Sequence, residues 1–492
     1  MNRLSRTTLS EARDGVTLPP PAGLSERTGI VHLGIGAFHR AHQAVFTEDA
    51  ATAAQESGWG ICGVTQRSAA VLEQLRPQDC LYAVLERGPH EPAVRVVGQV
   101  REVLFAAEDG ELLRRRFADP ATRVITLTVT EKGYRRSASG GLDLQDPVVR
   151  SDLSGGARSA VGQLVRGLQA RAAESGAPVT VLSCDNLTDN GDVVQRLVAD
   201  FCAALPSAEG DPLAAWIAEN VAFPCSMVDR IVPATTEDDR ATAAQLLGLN
   251  DAALVVAEPF RQWVIEDRFA AGRPAWERAG AEVVGDVTPY EQLKLRMLNG
   301  THSMLAYLGA LRGYETIAEA VADAELAEAA ARLMRDDVAP TLAPTPGRDV
   351  AAYAGEVLER FANPALRHRT TQVAMDGSQK LPLRLLGTVR DRLAAGETPH
   401  WATLAVAGWM VFVASARDPH GREIPVDDPL ADRLREAAGE GKAPGALVDG
   451  LLGVTEVFGA DLPAQTAFRE ELTAQVAELL AQTRAGQPAT QS

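Results

Sequence analysis

Gly29-Ile30-Val31-His32-Leu33-Gly34-Ile35-Gly36-Ala37-Phe38-His39 reads as a buried strand that ends in a glycine turn and opens a helix from about Phe38. A strand, a tight turn and a helix in that order form the first unit of a dinucleotide-binding fold. Gly34 permits the turn, Gly36 lets the backbone come close to a pyrophosphate, and the helix N-terminus then favours the negative charge. Ala37 and Phe38 open the helix and join the two glycines as candidate cofactor contacts. His39 stands where the usual fingerprint has its third glycine, so position along the chain carries the reading more than the motif does.

Working outward, a second apolar run at 59–64 ends in Gln66-Arg67-Ser68. An acidic residue there would accept hydrogen bonds from the ribose of NAD, and none is present. Gln66 is the candidate for the ribose. Arg67 suits either the adenine face or the 2′-phosphate of NADP, so chemistry alone leaves both cofactors open. Strands at 124–129 and 179–183 alternate with helical patterns at 111–117 and 157–173, which predicts a doubly wound parallel sheet. The segments 81–85 and 94–100 read as an antiparallel insertion. From about Thr288 strand signals fade, and helix-period segments run through 290–311, 317–335, 350–361, 381–394, 401–416 and 467–483. The fold class is therefore α/β: an N-terminal extension (1–27), a Rossmann-like domain (28–285) and a mainly α-helical catalytic domain (286–492). The two domains are expected to pack closely, with the active site between them.

Composition narrows the function. The 492 residues carry a formal net charge of −17, so nucleic acid and anionic membrane are excluded as partners by repulsion. An anionic substrate would need positive charge gathered locally. Five scattered cysteines without a CxxC pair read as reduced, buried thiols, which points to a cytoplasmic protein. The N-terminus has no apolar core of signal-peptide length, and the apolar stretch 404–416 is too short to span a bilayer. The expected partner is a small molecule, and the expected state a monomer or small homo-oligomer.

The segment from Tyr290 to His302, YEQLKLRMLNGTH, carries the chemistry. At about 100° per residue, with Lys294 at zero, His302 falls near ~80° and Asn299 near ~140°. Three polar groups thus share one side of an otherwise apolar helix. Oxidising an alcohol requires a base for the hydroxyl proton. A free lysine has a pKa of about 10.4, and burial lowers such a value towards working pH. Asn299 suits donation to the alkoxide oxygen and His302 suits a substrate hydroxyl. The competing structural reading is a helix end with a snorkelling lysine and a capping asparagine. No cluster of His, Cys and acidic residues has the spacing of a catalytic metal site, so no metal is expected. His39 and His42, the one candidate ligand pair, suit cofactor or structural contacts.

Residues 30–43 (IVHLGIGAFHRAHQ), 127–134 (LTVTEKGY), 183–186 with Asn190-Gly191 (SCDN…NG), 223–233 (FPCSMVDRIVP) and 294–302 (KLRMLNGTH) together resemble the polyol-specific long-chain dehydrogenases. The resemblance runs from about residue 28 to 465. It implies a metal-independent dehydrogenase in which Lys294 is the general base, Asn190 and Asn299 form the oxyanion site, His302 orients substrate and Glu291 relays the proton. Asp229 and Lys380 match further substrate positions, and Glu131 and Asn186 match cofactor positions. The stretches 258–269, 307–317 and 361–385 look closest to the fructuronate reductase branch. Gln372 stands where the mannitol 2-dehydrogenases are expected to carry an arginine. This implies interconversion of D-fructuronate and D-mannonate with NAD, the carboxylate being met by Arg261, Arg367, Arg369 or Lys380. The alternatives are a mannitol 2-dehydrogenase acting on D-mannitol and D-fructose, and a non-catalytic NAD(H) sensor. The sensor would be expected to have a damaged catalytic helix, whereas Lys294, Asn299 and His302 are all in place.

Overall fold

β1 (Thr28–Leu33) runs through the middle of a six-stranded sheet in the computed structural model, which describes residues 1–20, 27–88, 90–137, 139–415, 421–439, 441 and 443–485. The remaining strands are β2 (Gly60–Thr65), β3 (Tyr82–Glu86), β4 (Ala93–Val97), β5 (Val100–Phe105), β6 (Val124–Leu127) and β7 (Val179–Ser183). After them come β8 (Val221–Ala222), β9 (Ser226–Asp229), β10 (Val255–Ala257), β11 (Gln262–Glu266) and β12 (Glu282–Val284). The chain divides into two units, Met1–Val287 and Thr288–Ser492.

In the first unit the main sheet has the order β5-β2-β1-β6-β7-β8, with every neighbouring pair parallel. Strand order reverses between β1 and β6, the arrangement of a doubly wound dinucleotide-binding sheet. β1, β2, β6 and β7 are buried along their whole length. Helices on both faces of a parallel sheet leave no solvent side, hence the continuous apolar runs. Leu33 pairs with Leu127, so the turn after β1 and the loop after β6 leave the sheet together.

Two small sheets complete the unit. β3 and β4 form the expected antiparallel insertion, extended by β10 lying parallel to β3. β9, β11 and β12 form the other. The residues set apart as an N-terminal extension are built into this unit as far as they are described. Leu4 is fully buried among Leu81, Leu85 and Leu247, and the backbone bridges Arg3 to Asn250 and Thr17 to Arg95. Residues 21–26 lie outside the described residues.

The helix expected from Phe38 is broken. It forms over Ala37–Ala41, turns at His42 (φ −123°, ψ −87°) and resumes over Gln43–Ala54.

In the second unit no strand occurs among the described residues. The helix Val350–Phe361 has the bounds its periodicity predicts. The segment 317–335 is divided by Asp323, whose carboxylate accepts from the backbone amides of Glu325 and Leu326 and starts a new helix. The apolar helix is His400–Ala414, buried over most of its length; Ala416, its expected end, lies outside the described residues. Among the described residues no helix is long and apolar enough to cross a membrane. Among the described residues three stretches are wound as π-helix, Lys294–Asn299, Leu333–Val338 and Pro382–Leu386. Such i→i+5 turns are rare and concentrate at functional sites.

Candidate active site

The glycine turn separates two demands. Gly34 has φ +100°, and a Cβ there would lie 2.1 Å from the carbonyl oxygen of Thr128, so the fold itself requires glycine. Gly36 has φ −86°, and its Cβ would meet only the Gly34 oxygen at 3.8 Å. Nothing inside the protein demands glycine at 36. The exposed, open space over it is what a group approaching the backbone would fill, so the turn fits the pyrophosphate of a dinucleotide.

Beneath the turn lies a layer of buried rings. His32 Nδ1 hydrogen-bonds Thr126 Oγ1 at 2.7 Å and His32 Nε2 hydrogen-bonds Thr128 Oγ1 at 2.9 Å; Thr128 Oγ1 donates to the Gly34 oxygen at 2.8 Å. His32 stacks on His39 at 3.4 Å, and His42 Nε2 donates to the Gln262 oxygen at 2.7 Å. Burial pushes His32 and His42 each down to about 3, so these rings are neutral supports of the turn.

The loop after β6 is held from the end of β7. The buried Asp185 carboxylate accepts from the amides of Val129 (3.1 Å) and Thr130 (2.8 Å) and from Tyr134 Oη (2.7 Å). Thr130 has φ 68° and ψ 159°, a region almost confined to glycine, and these bonds hold it there. Glu131 and Asn186, the candidate cofactor contacts, are exposed next to this clamp. Burial raises the Asp185 carboxyl against the pull of its own hydrogen bonds.

Three of the residues expected in the site have protein partners in this unit. Asn190 was assigned to the oxyanion site, yet it is fully buried and its amide group donates to the oxygens of Asp185 (3.0 Å) and Ser226 (2.7 Å). Its oxygen accepts from the Ser226 amide at 2.9 Å. Both amide hydrogens tie the loop after β7 to β9, so Asn190 reaches an alkoxide only by giving up a backbone partner. Gln66, expected on the ribose, pairs reciprocally with Gln163 at 2.8 and 2.9 Å, leaving Arg67 exposed beside it. Arg261, expected on the substrate carboxylate, binds Asp49 at 2.6 Å and lies over the Phe46 ring. Asp229 is buried at the end of β9.

In the second unit Lys294, Asn299 and His302 are each 7% exposed, and Glu291 is buried with them. That burial rules out the snorkelling lysine. The π-helical winding of Lys294–Asn299 also changes the angles expected for a regular α-helix, because each turn holds an extra residue. Asn299 Nδ2 and His302 Nε2 are buried without a hydrogen-bond partner. In a core such atoms are costly; in a site they are where a ligand binds.

His302 stacks on Phe361 at 4.6 Å and meets the ring of His368 edge-on at 4.9 Å. Arg367 and Arg369, the residues singled out from sequence, are exposed. Arg367 takes a left-handed turn (φ 45°) and the Arg369 backbone bridges to Thr316, and the residue brought onto His302 is the one between them. Gln372 is exposed; Lys380 Nζ donates to the Val373 oxygen at 3.2 Å, and Arg384 Nη1 donates to Ser303 Oγ at 3.1 Å. Burial, then the coupled His368 ring and the positive charge of Arg384, Arg360 and Lys380, holds His302 well below the usual histidine range. Burial, then Lys380, lowers His368 to about 4. Sequence reasoning missed His368, Arg360, Arg384 and Asp185. For Asp185 a signal existed, an acid inside the quoted SCDN motif.

These depressed histidines predict a pH dependence. Between about pH 6.5 and about 4 the unfolded chain binds protons that His32, His42 and His368 refuse when folded, so stability rises with pH through that window. Each ring contributes on the order of 2 kcal/mol of destabilisation by about pH 5. Tm should climb from about pH 4.5 to about 7, and His42→Gln should flatten the climb. A flat Tm across that range would mean that the rings protonate in place.

Two family models match in succession, the mannitol dehydrogenase Rossmann domain over residues 28–278 and the mannitol dehydrogenase C-terminal domain over residues 286–480. The chain belongs to the mannitol dehydrogenase family. Similar to this family member is the D-mannonate oxidoreductase of Escherichia coli (strain K12), 45% identical over 92% of this chain and 93% of its own. A mannitol 2-dehydrogenase of Pyrenophora tritici-repentis (strain Pt-1C-BFP) is 36% identical over 96% of this chain and 82% of its own. Among solved structures, the Pseudomonas fluorescens mannitol 2-dehydrogenase ternary complex with NAD and D-mannitol superposes with a TM-score of 0.87 at 34% identity, covering 98% of this chain and 97% of that one. The protein is thus a Rossmann-fold mannitol dehydrogenase family oxidoreductase, of a family that acts on CH–OH groups.

Proposed function

We propose that this enzyme interconverts D-fructuronate and D-mannonate with NAD(H), using Lys294 as general base. The observation that carries the chemistry is the buried set Lys294, Asn299 and His302, two of whose polar atoms have no protein partner. The substrate follows from the 45% identity to a D-mannonate oxidoreductase over nearly the full length of both chains, and from glutamine rather than arginine at 372.

In the oxidative direction the Lys294 amine takes the hydroxyl proton from the reacting carbon, and buried Glu291 passes it on towards solvent. Asn299 Nδ2 donates to the oxygen as negative charge develops there, a bond that strengthens in the transition state. His302 Nε2 bonds a substrate hydroxyl and fixes the sugar chain against the Phe361 face. Gly34, Gly36, Ala37 and Phe38 hold the pyrophosphate of the cofactor; Glu131 and Asn186 line its approach, and Gln66 and Arg67 its adenosine end. The bound nicotinamide supplies or takes up the hydride.

A second reading, mannitol 2-dehydrogenase, draws on the likeness to the Pseudomonas fluorescens complex with NAD and D-mannitol. The two part on initial rates of NADH oxidation with D-fructuronate and with D-fructose, each repeated with NADPH. Fructuronate should win by about tenfold or more in kcat/KM, the scale of one charge-assisted bond. A comparable rate on fructose would move the enzyme to the second reading, and faster turnover with NADPH would overturn NAD.

A further inference from the structure

We propose that Arg360, His368 and Arg384, with Lys380, form the receptor for the carboxylate end of the substrate, so that an anionic sugar is chosen over a neutral one at this cluster. The proposal rests on the reading of His302 as a substrate contact.

Four elements bring these groups to one ring. Arg360 sits in the last turn of the helix Val350–Phe361, directly before the Phe361 ring that stacks on His302. His368 lies edge-on to His302 at 4.9 Å. Lys380 belongs to the helix Gly377–Leu381. Arg384 lies in the π-helical turn Pro382–Leu386 and donates to Ser303, the neighbour of His302. Arg360, Lys380 and Arg384 act on the His302 imidazole as positive charge, while His368 meets it as a neutral ring.

The resulting surface is a neutral, hydrogen-bonding pair of rings backed by fixed cations. His302 Nε2 and His368 Nδ1 are both buried without a protein partner. A carboxylate at the end of a hydroxylated chain complements such a surface, its oxygens bonding the guanidinium groups while the adjoining hydroxyls bond the rings. The backbone is strained to build it: the left-handed conformation of Arg367, which a non-glycine residue adopts at a cost, directs that arginine outwards and His368 inwards. In a chain with a net charge of −17, positive charge focused on a nearly buried ring favours an anion at this point. This receptor shares only Lys380 with the cations the sequence suggested.

The test is steady-state kinetics of the full-length enzyme with NADH on D-fructuronate and D-fructose, comparing wild type with Arg360→Gln, His368→Gln, Arg384→Gln and the charge-keeping Arg360→Lys. The ratio of kcat/KM for acid over ketose should fall by about tenfold or more in Arg360→Gln and Arg384→Gln, mostly through KM for the acid, and recover in part in Arg360→Lys. The wild-type enzyme offers an independent measurement, needed if a glutamine variant fails to fold: KM for the acid should rise with ionic strength while KM for the ketose stays level. A wild type that prefers the acid, with an unchanged ratio in the folded variants or no salt effect on the acid, overturns the receptor alone. A wild type without preference for the acid overturns the fructuronate reading and the receptor with it.

Discussion

Lys294→Ala should lower kcat by at least about a hundredfold while NADH still binds. Loss of the alcohol proton is unavoidable in the reaction, and the amine of Lys294 is the proposed acceptor. It sits 7% exposed beside Asn299 and His302, in a turn whose other side chains, Leu293, Met297 and Leu298, are apolar and buried. Water therefore cannot readily replace it as base. A fluorescence titration with NADH separates the two effects, because the proposed cofactor contacts all belong to residues before Val287. Turnover within about tenfold of wild type would remove Lys294 from the mechanism. Loss of NADH binding would point instead to a structural role for the lysine.

The second large effect is a contrast between two glycines. Gly34→Ala should abolish NADH binding and cost about 2 kcal/mol or more of stability, since its methyl would collide with the Thr128 carbonyl at a φ of +100°. Gly36→Ala should leave Tm near wild type, its methyl meeting nothing closer than 3.8 Å, yet raise KM for NADH by about tenfold or more. Thermal unfolding and NADH titration on both variants decide the matter. A Gly36→Ala enzyme that binds NADH normally would move the pyrophosphate away from this turn.

The α/β half of the fold was legible because its signals are local. The central strands β1, β2, β6 and β7 are short, fully buried runs, and β7 falls at the residues its pattern predicts. Pairings made by distant residues were not legible. β10 has three residues and finds β3 across a long stretch of chain, and the N-terminal residues show only isolated apolar side chains such as Leu4. The candidate site divides the same way. Lys294, Asn299 and His302 stand out as polar residues in an apolar helix. Asn190 looks equally chemical, but its side chain is engaged by Ser226, a residue on another strand. His368 was hidden because its direction depends on a left-handed residue that is neither glycine nor asparagine, so composition gives no sign of the turn. Helix propensity likewise cannot tell an i→i+5 turn from a regular one.

That wider turn sets how the enzyme tolerates length changes. A loop answers the loss of one residue by shortening. Removing one residue between Lys294 and Asn299 would instead let regular i→i−4 bonding close through the segment, and Lys294 and His302, then seven residues apart, would stay within about 20° of one another around the axis. The helix would survive with its lysine on much the same side. The segment thus holds its extra residue as width of one turn and not as rotation of the helix beyond it, so the amine and the imidazole keep a common face under either winding.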